Sequence, residues 1–123
     1  MEVARLLLEK AAGDLSALKA LADDENQADH VVGLLAQQTV EKSLKAALAI
    51  CGVEIPRTHD IGYLTRLCAE HRLMPDDLAA SQWLTPWAGG WRYDIEGVQL
   101  DRVLAVSVAE TAHAWSRTLL GIS

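Results

Sequence analysis

Polar side chains recur at helical spacing in an otherwise apolar segment of the first half of the chain. These residues are Gln38, Glu41, Lys42 and Lys45. Intervals of three, four and seven residues place such side chains on one face of a helix. Amide and charged groups in this pattern either form ion pairs on a solvated strip or face a ligand or a second subunit. Both interpretations stay open at this point.

A histidine stands directly before a predicted helix start. His59 precedes Asp60, and backbone N–H groups at a helix start can receive a phosphate. A histidine at such a position can equally serve as a capping or packing residue. His59 is therefore a candidate ligand-binding residue.

Aromatic residues gather late in the chain. Trp83 and Trp87 are one helical turn apart, which favours a role in filling a helical core. Trp91, Arg92 and Tyr93 follow a pair of glycines, so we expect them in a loop. Because a ring can stack on a base and a guanidinium can hold a phosphate, these three are candidate ligand-binding residues.

Several chemistries are disfavoured by what the sequence lacks. It contains no nucleophile elbow, P-loop or dinucleotide-binding fingerprint, and its four histidines lie on separate segments without metal-ligand spacing. Cys51 and Cys68 form no C-x-x-C pair. We therefore expect no metal, no cofactor and no disulfide. The net charge of -6 also disfavours an extended phosphate-binding surface, so no DNA partner is expected.

The composition and periodicity favour an all-α fold. Alanine and leucine dominate, whereas the chain has 8 glycines, 3 prolines and no phenylalanine. Apolar residues recur every three or four positions in three long segments, about 2–22, 29–51 and 100–121, and in shorter ones near 60–68 and 76–87. We predict one domain over residues 1–123, an antiparallel up-and-down bundle of about five helices, three long and two short.

Helix ends are marked by residues that commonly cap helices. Asp29 is predicted to cap the second helix, and either Thr58 or Asp60 the third. Gly52 and Gly121 are predicted to end the second and last helices in the left-handed conformation.

No stretch of about 18 apolar residues that could cross a bilayer is present. The charged N-terminal segment also lacks the pattern of a signal peptide. We therefore expect a cytoplasmic protein without a membrane partner.

Three motifs, taken in order, resemble the signature of HEPN domains, which are named for higher eukaryotes and prokaryotes nucleotide-binding. They are QQTVEKSLK at 37–45, THDI at 58–61 with Leu64, and Arg92-Tyr93. The resemblance implies a five-helix bundle that usually forms a homodimer. It also implies frequent pairing with a small MNT-type nucleotidyltransferase as a toxin-antitoxin system, and a nucleotide or RNA ligand.

Many HEPN proteins are ribonucleases that cut RNA without metal. The resemblance places their catalytic pair late in the chain, an arginine followed after four to six residues by a histidine. After Arg92, those positions hold no histidine. Arg66 and His71 satisfy the spacing, but five residues apart on a helix they point in directions that differ by roughly 140°. They are weak catalytic candidates.

Three hypotheses follow for the function. The first is a dimeric, nucleotide-associated subunit that pairs with a nucleotidyltransferase. The second is a metal-independent ribonuclease acting at the dimer cleft. The third is a non-catalytic interaction or adaptor bundle.

Overall fold

The computed structural model describes residues 1–88 and 98–121, and this part of the chain is helical without any strand. The predicted all-α class is therefore confirmed. Three long helices are joined by a region of shorter ones. The elements are α1 (Glu2–Leu21), α2 (Asp29–Ile50), α3 (Ile61–Ala69), α4 (Asp76–Ala79), a 3₁₀ helix (Ser81–Trp87) and α5 (Arg102–Leu120).

Helix α2 is the centre of the bundle, as its nearly all-round apolar pattern predicts. It packs against α1 on one side, α5 on another, and α3 with the 3₁₀ helix on a third. Its fully buried apolar residues include Val32, Val40, Leu44 and Leu48. Side chains that project from α2 are therefore held firmly in place, which matters for the polar residues on the same helix.

Ion pairs and apolar contacts at two levels of the bundle show that α1 runs antiparallel to both other long helices. Asp14 of α1 pairs with Lys42 of α2, and Lys19 of α1 pairs with Glu110 of α5 at 3.0 Å. Near the start of α1, Ala4 and Leu8 pack with residues from the end of α2 and with Leu120. Because the connection between α1 and α2 is short, this antiparallel arrangement is the expected one.

The tryptophan prediction for the core is confirmed. Trp87 is buried, and Trp83 is partly buried against the main apolar cluster. Gly33 explains how the Trp87 ring reaches α2, because a Cβ at this position would lie only 2.5 to 2.9 Å from three atoms of that ring. A helix-interior glycine costs roughly 1 kcal/mol relative to alanine, and here the close ring packing gives a reason for it.

Most predicted helix ends are correct. Asp60 caps α3, where its carboxylate accepts a hydrogen bond from the Tyr63 N–H at 3.1 Å. Gly52 and Gly121 have the positive φ angles of 73° and 89° expected of helix stops.

Two details of the predicted helices are wrong. Ala28, not Asp29, is the N-cap of α2, and Asp29 bonds to the start of α5 instead. The fourth helix is not continuous over 76–87, because α4 ends at Ala79 and a 3₁₀ helix begins at Ser81. The Ser81 hydroxyl donates to the Leu78 carbonyl at 2.6 Å, and such local bonds compete with continuation of the α-helix.

A guanidinium ties the starts of α2 and α5 to the loop that follows α1. Arg102 donates to the Asp29 carboxylate through Nε at 3.0 Å, and its Nη2 lies 2.9 Å from the same carboxylate oxygen as an ion pair. It also donates to the backbone carbonyls of Ala22, Asp24 and Gln27. The backbone N–H of Leu100 also donates to the Asp29 carboxylate. This hydrogen bond makes the largest contribution to the lowered pKa of Asp29, and burial acts in the opposite direction. This tie is absent from the sequence-based predictions.

Within the described residues, no helix is both long and apolar enough to cross a membrane.

Cys51 and Cys68 are free thiols, and burial raises the pKa of Cys68 to about 12. A thiol in that condition is a packing residue rather than a nucleophile.

Candidate functional site

A buried carboxylate on α2 organises the polar residues singled out in the sequence. Only 6% of the Glu41 side chain is exposed. Its Oε1 accepts hydrogen bonds from Gln37 Nε2 at 2.7 Å and from His59 Nδ1 at 2.8 Å. Its Oε2 accepts from Lys45 Nζ at 3.0 Å. We call Gln37, Glu41, Lys45 and His59 the Glu41 cluster.

Two elements position the Glu41 cluster. Gln37 and Lys45 lie one turn before and one turn after Glu41 on α2, so all three share a face. His59 comes from the loop before α3, and its carbonyl accepts a further bond from Gln37 Nε2 at 3.4 Å. This loop is held because Ile61 is fully buried, and its N–H donates to the Thr85 hydroxyl of the 3₁₀ helix at 3.0 Å.

Glu41 is held in its ionised form despite its burial. Desolvation acts to raise the pKa of Glu41, but the hydrogen bonds from His59, Gln37 and Lys45 outweigh it, so the pKa lies below its ordinary value. An ionised carboxylate only accepts hydrogen bonds, which means that His59 donates its Nδ1 proton to Glu41. The carboxylate thereby fixes both the orientation of the imidazole and the nitrogen that carries a proton.

The four polar residues predicted to share one face of a helix, Gln38, Glu41, Lys42 and Lys45, fall into two groups. Lys45 and Glu41 belong to the cluster, and Gln38 joins it indirectly because its Nε2 donates to Gln37 Oε1 at 2.7 Å. Lys42 points away and pairs with Asp14 on α1. Gln37 was not among the predicted site residues, although its place one turn before Glu41 is a signal that could have found it.

His59 is the member of the Glu41 cluster that reaches solvent. Its side chain is 71% exposed, whereas that of Lys45 is 15% exposed. With Nδ1 bound to Glu41, the opposite nitrogen, Nε2, makes no hydrogen bond to the described residues. An imidazole held this way can contact an anionic group or exchange a proton with a bound molecule.

The structure does not bring the weak catalytic candidates Arg66 and His71 together. A Cβ built on Gly62 would lie 3.4 Å from Arg66 Nη1, so the guanidinium extends back toward the start of α3. His71 lies in the turn beyond the end of the same helix. Both side chains are exposed, and the catalytic assignment to this pair stays a prediction.

The loop candidates Trp91, Arg92 and Tyr93 lie outside the described residues. Their assignment as ligand-binding residues stays a prediction. Groups of three or more histidine, cysteine or acidic side chains able to hold a metal ion are not found in the part of the chain that the structure describes.

Fold and site together define a class of helical-bundle protein in which a buried glutamate on the central helix anchors a loop histidine. Residues 4–118 match the family model described as HEPN domain, and the chain belongs to this family. The resemblance seen in the sequence is thereby confirmed. No curated protein and no solved structure matches the chain at a significant level.

Proposed function

We propose that this HEPN-domain protein is a nucleotide-associated subunit that acts as a homodimer beside an MNT-type nucleotidyltransferase, as one half of a toxin-antitoxin pair. The observation that carries the nucleotide part of the proposal is the Glu41 cluster. It presents an oriented imidazole at the surface next to a lysine ammonium, in a protein whose net charge is -6. Such a local site suits a phosphate group better than an extended nucleic-acid surface would.

The sequence supplies further groups for the same ligand. Arg92 can pair with phosphate through two N–H groups, and Trp91 and Tyr93 can stack on a base. Gln38 adds an amide beside the Glu41 cluster. Together with His59 and Lys45, these residues match the chemistry of a nucleotide, either free or at an RNA position.

Loss of the exposed imidazole should weaken nucleotide binding without unfolding the domain. In isothermal titrations with ATP and with a ten-nucleotide adenine RNA, His59→Ala is expected to lose about tenfold in affinity, since a hydrogen bond to a charged group contributes about 1.5–3 kcal/mol. Arg92→Ala is expected to behave similarly. The matched control is His30→Ala, since His30 is exposed at the start of α2.

Binding that is equal in wild type, His59→Ala and His30→Ala would contradict the proposed site. If the wild type binds neither probe, the nucleotide-associated function fails. The non-catalytic adaptor hypothesis would then be the better one.

The dimer is tested separately by light scattering. We expect a mass twice the 13.4 kDa of the chain at micromolar concentration, because HEPN domains usually form homodimers. Exposed apolar residues at the start of α1, Val3 and Leu6, are available for such an interface. A mass of one chain at this concentration would contradict the expectation.

The second candidate function, a metal-independent ribonuclease, is favoured by the His59–Glu41 pair. A carboxylate-oriented imidazole is the arrangement used for general acid–base catalysis. Cleavage of RNA in the presence of a chelator, abolished in His59→Ala, would support it. RNA left intact by a preparation that binds it would favour the non-catalytic subunit.

A further inference from the structure

The solvent-facing side of α3 carries an exposed aromatic ring and an exposed guanidinium. Tyr63 is 43% exposed. Arg66 is also exposed and forms no hydrogen bond or ion pair with any residue that the structure describes. Residues three apart on a helix are neighbours on one face, with Cβ atoms about 5–6 Å apart. We call Tyr63 and Arg66 the α3 face.

The α3 face adjoins, along the chain, the loop that carries His59 of the Glu41 cluster. The position that a Gly62 Cβ would take lies 3.4 Å from Arg66 Nη1 and 3.2 Å from Asp60 Oδ1. The guanidinium therefore lies at the end of α3 that follows His59. The Asp60 carboxylate is occupied as the helix cap, where it accepts the Tyr63 N–H.

We propose that the α3 face extends the Glu41 cluster into a nucleotide-recognition surface, on which Tyr63 stacks against a base while Arg66 and His59 contact a phosphate. The inference rests on the proposed function and names residues that recognise the ligand. Exposed aromatic rings bind bases of any sequence by stacking, and the planar fork of arginine matches phosphate geometry. The exposed ring and guanidinium of α3 and the imidazole in the loop before it supply these contacts together.

The chemistry is shared by free nucleotides and single-stranded RNA, so the experiment uses three probes. They are ATP, a ten-nucleotide adenine RNA and inorganic phosphate, each titrated calorimetrically into the full chain. Tyr63→Ala should weaken ATP and RNA binding by about tenfold, because base stacking on an aromatic ring contributes about 1–3 kcal/mol. Tyr63→Phe keeps the ring and should stay within about twofold of wild type.

Arginine variants test the phosphate contact. Arg66→Gln should weaken all three probes by about tenfold, whereas Tyr63→Ala should leave phosphate binding unchanged. The matched control is Arg72→Gln, which removes the same charge beyond the other end of α3, where Arg72 is exposed. Tighter wild-type binding of the RNA than of ATP identifies RNA as the preferred source of the nucleotide, and tighter binding of ATP identifies the free nucleotide.

The outcomes distinguish a failure of this inference from a failure of the proposed function on which it rests. If His59→Ala loses affinity while Tyr63→Ala and Arg66→Gln bind like wild type, the α3 face is not part of the site and only this inference fails. If the wild type binds no probe, the proposed function fails first. Circular dichroism of each variant confirms folding, and Arg66→Gln with its Arg72→Gln control keeps the test decisive if Tyr63→Ala is unfolded.

Discussion

Replacing Glu41 with glutamine is expected to lower the free energy of unfolding by about 2–4 kcal/mol, close to the cost of breaking a buried ion pair. The substitution removes the negative charge that accepts hydrogen bonds from Gln37, Lys45 and His59. The N–H groups of the new amide would also face these donors. The largest part of the lost stability would come from Lys45, because its largely buried ammonium would no longer have a carboxylate partner. Urea denaturation at pH 7 measures the change.

Two further variants make the Glu41 prediction specific. Glu54→Gln removes an exposed carboxylate from the loop before α3 and should change stability by less than about 0.5 kcal/mol. Lys45→Met in the Glu41→Gln background should recover part of the loss, because it removes the unpaired charge. A cost of Glu41→Gln below about 0.5 kcal/mol would show that the cluster does not hold His59 in the way described.

The pH dependence follows from the lowered pKa of Glu41. A carboxyl whose folded pKa lies below its unfolded value contributes stability above the unfolded pKa and loses it as pH falls through the folded value. The lowered pKa of Asp29 acts in the same direction. Below about pH 5, wild-type stability should therefore fall more steeply than that of Glu41→Gln, which lacks the Glu41 share.

Arg102→Ala is expected to destabilise the domain by about 2–4 kcal/mol, since several hydrogen bonds to a mostly buried guanidinium are lost at once. The carboxylate of Asp29 and three loop carbonyls would lose their common donor. Arg102→Lys should recover little, because an ammonium cannot reproduce the planar fork. Urea denaturation gives the stability, and hydrogen exchange should show faster opening of the loop between α1 and α2.

The control for the Arg102 prediction is Arg57→Ala, which removes an exposed arginine from another loop. It should change stability by less than about 0.5 kcal/mol. If Arg102→Ala and Arg57→Ala cost the same, the tie between the two helix starts contributes little to the fold.

The parts of the fold that sequence predicts well are those governed by local rules. Apolar spacing locates α1, α2 and α5, and the caps at Asp60, Gly52 and Gly121 depend on residues next to the helix ends. The break between α4 and the 3₁₀ helix was missed because an amphipathic spacing does not show which local hydrogen bonds form. The Asp29–Arg102 tie joins residues 73 apart, a separation over which no local pattern operates.

The candidate site shows the same division. Helical spacing puts Glu41 and Lys45 on one face and yields their pairing directly. Spacing alone does not reveal that Lys42 turns toward α1, because that depends on where Asp14 lies in the folded chain. The contact between His59 and Glu41 likewise depends on how α3 packs against α2, so the sequence indicated both residues but not their bond.

Nuclear magnetic resonance of the histidine rings tests the central claim, that the exposed side of His59 contacts a nucleotide, most directly. In protein labelled with ¹⁵N and ¹³C at histidine, titration with ATP should shift the His59 Nε2 and Cε1 signals saturably. His30, which is exposed at the start of α2 two turns before Gln37, serves as the internal reference and should not move. Saturable ATP binding by calorimetry with unmoved His59 signals, or equal shifts at His30 and His59, would contradict the account.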